Sequence, residues 1–150
     1  MKENMEKINA VKGFIILVIG GMGSMITNLF GGWTEDLNTL LLFMGVDFVM
    51  GLMIAAVWKR SGKSETGALN SVSAWKGLCR KGVSLLVVLV AYRLDVTLGI
   101  NYIKTMVVIA FITNELISIV ENLGIMGVQF PPIIVKAIDV LKSKTEGDKT

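Results

Sequence analysis

Apolar residues in this chain are gathered into four blocks instead of recurring one face at a time. The blocks run from about Gly13 to Phe30, Leu37 to Trp58, Gly82 to Leu98 and Tyr102 to Leu123. A helix needs roughly 20 apolar residues, within a range of about 17–25, to cross the hydrocarbon core of a bilayer. Each block meets that length. The pattern predicts an all-α, polytopic membrane protein with four transmembrane helices. The first block has the basic flank of a secretory leader in Lys2, Lys7 and Lys12. Its apolar run exceeds the roughly 7–15 residues of such a leader, and no small-x-small cleavage pattern precedes Trp33, so it is expected to stay as an anchor.

Basic residues sort by segment. The N-terminal flank carries the three lysines just named. The turn Gly31–Asp36 has none. The loop between the second and third blocks holds Lys59, Arg60, Lys63, Lys76, Arg80 and Lys81, the next turn again has none, and the C-terminal segment holds Lys136, Lys142, Lys144 and Lys149. Segments rich in Lys and Arg stay in the cytoplasm. Four spans with both termini cytoplasmic satisfy every segment at once, and dropping one span would leave a basic segment outside.

Two shorter stripes are expected to form interfacial amphipathic helices. Leu69, Val72, Trp75 and Leu78 recur every third residue in the basic loop. Ile134, Ala137, Ile138 and Leu141 follow the pair Pro131-Pro132, with proline tolerated in a first helical turn because its missing N–H has no intrahelical partner there. Either stripe fits lipid or protein. Residues 1–141 read as a single transmembrane helical domain, and 142–150 as a polar tail without apolar periodicity, expected to be mobile.

Composition sharpens this picture. The chain is 53% hydrophobic and 18% charged, less charge than soluble domains carry. Histidine is absent and Cys79 is the single cysteine. An intrachain disulfide, a zinc site of the usual Cys and His ligands, and a Ser–His or Cys–His nucleophile pair are excluded. No catalytic group, cofactor or metal is expected. The net charge of +3 flanks apolar blocks without interleaved aromatics, so membrane lipids, not nucleic acid, are the expected partners.

Polar residues inside the blocks carry the functional information. A carboxylate at a span centre costs about 2.5–3.5 kcal/mol on insertion scales, so such a group needs a partner or water. Asp47 lies mid-block, with Gly51 and Ala55 at i+4 and i+8. This acid-and-small-residue face suits either close approach of another helix during assembly or packing within one chain. Arg93 and Asp95 sit in the outer part of the third block. Arg93 either reaches inward to pair with Asp47 or extends to the outer headgroups. In the fourth block Asn114, Ser118 and Glu121 share one face, and Glu115, Ser118 and Asn122 an overlapping one, which either lines a water path or joins helices. Glu121 and Asn122 are placed to meet Arg80 and Lys81. Glu115 lies far from both headgroup layers, so its carboxyl must be protonated or paired with a group on another span. Gly20, Gly21, Gly23 and Ser24 form a small-residue patch that suits helix packing, not a phosphate loop.

The segment Val46-Asp47-Phe48-Val49-Met50-Gly51 with Ala55 resembles the second span of the phage holin family that includes the clostridial toxin-release holins. The resemblance continues through Lys76-Gly77-Leu78, Arg80-Lys81 and Leu94-Asp95. It is strongest over Asn114 to Asn122, followed by Gly124, Gly127 and Pro131, and covers roughly Leu40 to Leu141. It implies a protein that oligomerises in the bacterial cytoplasmic membrane and permeabilises it at a set time, letting an endolysin or toxin escape. The alternative is a small transporter or ion channel subunit. Inverted repeats and spans broken by proline would mark a transporter, and neither is visible.

Overall fold

The computed structural model describes residues 2–59, 70–129 and 131–146, and every regular element among them is helical. Helix α1 spans Lys2–Leu29 and α2 spans Glu35–Met53, passing into a π-helical turn at Ile54–Trp58. Helix α3 spans Ser71–Leu98, α4 Ile103–Met126 and α5 Pro132–Glu146. Of the basic loop, Arg60, Lys63 and Leu69 lie outside the described residues, as does Lys149 of the tail.

The chain divides into two units, Met1–Trp33 and Thr34–Thr150. The first is α1, whose large side chains Phe14, Ile16, Leu17, Ile19 and Met22 are all exposed. A Cβ added at Gly20, Gly21 or Gly23 meets nothing within 4 Å, so the close packing expected of this patch has no partner within the unit.

The second unit is built on three stripes of three-and-four spacing. Helix α2 buries Leu37, Leu40, Met44 and Asp47, with Ile54 and Ala55 in the π turn. Helix α3 buries Val88, Ala91 and Asp95, and α4 buries Lys104, Val108, Ile112, Glu115 and Ile119. Residues three and four apart stack on one helix face, so α2, α3 and α4 meet along these stripes. Leu40, Val88 and Val108 are wholly buried and form the dry centre. Their other faces are apolar and exposed, as at Leu42, Val46 and Val49 on α2 and Leu86, Val87 and Val90 on α3. Helix α5 packs on α4 and buries Ile138.

The helices α1, α2 with its π turn, and α4 are long and apolar enough to cross a membrane. Helix α3 has the length, 28 residues, but carries five charged groups from Lys76 to Asp95. The structure also joins two segments that the sequence keeps apart. The stripe from Val72 to Leu78 is not a separate interfacial helix but the first turns of α3. Asn70 caps it, its Oδ1 accepting from the N–H of Val72 at 2.9 Å and of Ser73 at 3.4 Å. Side-chain capping satisfies otherwise orphaned donors at a helix start, and no proline follows to stop the helix before Gly99. Gly99 ends α3 at φ 68°, and Gly127 ends α4 at φ 77°, both in the left-handed conformation that favours glycine. Helix α5 continues to Glu146, five residues into the segment read as a polar tail.

Candidate functional site

Four polar side chains meet where the stripes of α2, α3 and α4 pass the middle of the unit. Lys81 Nζ donates to Asp47 Oδ2 at 2.8 Å and to Glu115 Oε2 at 2.5 Å. Asn122 Nδ2 donates to the other oxygen of Asp47 at 2.8 Å. One ammonium therefore ties α2 to α4 from α3. Asp47 and Glu115 are 3% and 6% exposed, so the ionic contacts lie well out of bulk solvent. At 1.5 Å per residue, Asp47 and Glu115 each lie roughly 18 Å from the start of their helices, close to half the hydrocarbon thickness.

The structure does not bring Arg93 inward, the first of the two arrangements open to it. Asp47 pairs with Lys81 and Asn122, not with Arg93, which is exposed. The reason is register. Lys81, Ser84, Val88, Ala91 and Asp95 share one face of α3, and Arg93 lies off it. Of the two overlapping faces on α4, the one with Glu115 and Asn122 makes the contacts. Glu121 is exposed and stands apart. Asn114 and Ser118 border a cavity instead.

That cavity, about 560 Å³, opens between α2, α3 and α4 beside the bridge. Asp47, Lys81 and Glu115 stand in its wall with Arg80, Ser73 and Ser84. Gly51 and Ala55 line it too, and a Cβ at Gly51 would meet nothing within 4 Å. Within one chain a space remains beside Gly51, while Ala55 is buried in the π turn, which packs against α4.

A second polar cluster closes the other end of the dry centre. Asp95 accepts from the backbone N–H of Ile103 and of Lys104, both at 2.9 Å, so a side chain of α3 caps the start of α4. A carboxylate there also meets the positive end of the helix dipole. Lys104 is 8% exposed. Its Nζ lies 3.4 Å from Thr34 Oγ1 and 5.7 Å from the centre of the Tyr92 ring. Sequence reasoning missed Lys104, although a lysine in the first turn of an apolar helix, nine residues after an acid, was a visible signal. It also missed Lys81 as the base shared by Asp47 and Glu115, setting it instead against Glu121 and Asn122. Among the described residues no group of three or more Cys, Asp or Glu is placed to hold a metal.

The family model described as the bacteriophage holin family matches residues 24–143. A probable holin of Bacillus phage phi105 is 35% identical over 122 residues, covering 78% of this chain and 84% of the relative. An uncharacterized 14.9 kDa protein in the nagH 3′ region of Clostridium perfringens is 34% identical over 139 residues, covering 91% and 96%. The uncharacterized protein Lin0175 of Listeria innocua is 32% identical over 138 residues, covering 90% and 92%. No solved structure matches the chain.

Proposed function

The chain belongs to the bacteriophage holin family, and from that premise we propose that it oligomerises in the host cytoplasmic membrane and opens it to an endolysin or toxin. The membrane-permeabilising role follows from the family and from the apolar helices. Assembly, the released cargo and the topology are our reading. In that reading α1, α2, α3 and α4 all span, with both termini cytoplasmic. The charges of α3 do not oppose this, because Asp95 is spent on the start of α4 and Lys81 on two acids. Polar groups in a span are tolerated when they face protein partners.

The observation that carries the reading is the bridge from Lys81 to Asp47 and Glu115. It leaves each helix an apolar outer face for lipid or for another subunit. It also places three charges at mid-span, where an assembled lesion would supply water. A conformational equilibrium shifts toward whichever state solvates such a cluster better. Controlled expression in a bacterium beside an endolysin tests the proposal. Abrupt growth arrest with endolysin in the medium is expected. Continued growth with the endolysin retained, at confirmed membrane accumulation, would refute it.

A further inference from the structure

The cavity beside the bridge has a chemistry that the lesion does not require. It is bounded toward one end of the unit by Asn70, Ser73, Ala74 and Gly77, the first turns of α3, and reaches Lys81 and Ser84 near mid-span. Its 560 Å³ is many times the roughly 30 Å³ that a water molecule occupies in the liquid. Its wall is mixed, with Phe48, Leu52 and Val83 beside polar groups. Hydroxyls of Ser73, Ser84 and Ser118 stand beside the carboxylates and Arg80. Polar, roomy cavities hold water, whereas dry ones are lined by hydrocarbon.

Glu115 supplies an independent pointer. It is 6% exposed, and among the described residues it is hydrogen-bonded through Oε2 alone. No fully enclosed side-chain oxygen or nitrogen there lacks a partner, so its second oxygen is not fully enclosed, and Glu115 stands in the cavity wall. A carboxylate oxygen at mid-span without a protein donor calls for water or a cation. The buried bridge carries two carboxylates against one ammonium, a surplus of one negative charge, and Arg80, the other cation of the wall, is exposed. Beyond it, Leu40, Val88 and Val108 are completely buried and close the path.

We propose that each single chain encloses a water-filled half-vestibule that admits small hydrophilic cations from the α3 N-terminal end as far as Glu115. Its placement on the cytoplasmic side rests on the topology proposed above. The vestibule belongs to the unassembled subunit and is therefore distinct from the lesion between subunits.

Thiol labelling in sealed membrane vesicles, prepared before the onset of permeabilisation, tests it. In a Cys79→Ser background, Ser84→Cys places a thiol on the cavity wall. Leu86→Cys places one at nearly the same depth on the exposed apolar face. Because only the hydrated thiolate reacts, a charged methanethiosulfonate reagent should modify Ser84→Cys roughly tenfold or more faster than Leu86→Cys. A cationic reagent should outpace an anionic one at Ser84→Cys, and Glu115→Gln should shrink that preference. Equal rates at the two positions would overturn the vestibule, as would failure of Ser84→Cys to react from either side. Labelling only from the external side would support the vestibule and overturn the topology instead. Neither result depends on whether the protein releases an endolysin.

Discussion

Lys81 holds two buried carboxylates with a single charge. Such an arrangement adds little net stability, because desolvation offsets the attraction, but removing one partner strands the others at about 3–5 kcal/mol. Lys81→Met should therefore lower the midpoint of thermal unfolding in detergent, and the amount in the membrane, far more than Arg93→Met. Adding Asp47→Asn and Glu115→Gln to Lys81→Met should restore most of the loss, since no uncompensated charge remains. If the triple variant is as unstable as the single one, the bridge is not the cause. Asp47 also accepts from Asn122. Asp47→Asn keeps the shape of that contact, so it should shift lysis timing with normal accumulation, and Asp47→Leu should shift it further. Unchanged timing in both would reduce Asp47 to a packing residue. The acids were legible in the sequence because a charge in an apolar block is conspicuous. Their base was not, because Lys81 sits one residue before the third apolar block and reads as a topology signal.

At the scale of elements, the ends of the helices explain both agreements and misses. The four apolar blocks coincide, to within a residue at Phe30 and Tyr102, with parts of α1, α2 with its π turn, α3 and α4. Hydropathy sees the middle of a helix well and its polar extensions poorly. It therefore began the third helix at Gly82, where the structure begins it at Ser71, with Asn70 as its cap. The π turn at Ile54–Trp58 had no sequence signal at all, since its composition continues that of α2. Asp95 was noticed as an intramembrane acid, but its task became visible only with the turn from α3 into α4. That cap makes a definite claim. Asp95→Ala leaves two N–H groups at the start of α4 without their acceptor and should cost about 0.5–2 kcal/mol, the range for lost helix caps. Asp95→Asn should cost less. Thermal unfolding of the two variants checks the order, and equal stability of Asp95→Ala and the parent would show that the cap is redundant.

For the whole molecule, a dry centre lies between two polar clusters, and we assign the mid-span one to the opening of the membrane. Topology is its first requirement. Reporter fusions within 31–36 and 98–100 should read as external, and fusions within 61–74 or after residue 142 as cytoplasmic. A cytoplasmic reading at 98–100 would remove α3 from the membrane and dismantle the four-span arrangement. The more direct measurement compares two glutamates six residues apart on α4. Glu115 is buried in the bridge, while Glu121 is exposed and outside it. Potassium efflux should be followed after induction of Glu115→Gln, Glu121→Gln and the parent at matched membrane levels. If the bridge drives opening, Glu115→Gln delays or abolishes efflux and Glu121→Gln stays close to the parent. Equal effects at the two positions, or an unaltered onset in Glu115→Gln, would contradict that role.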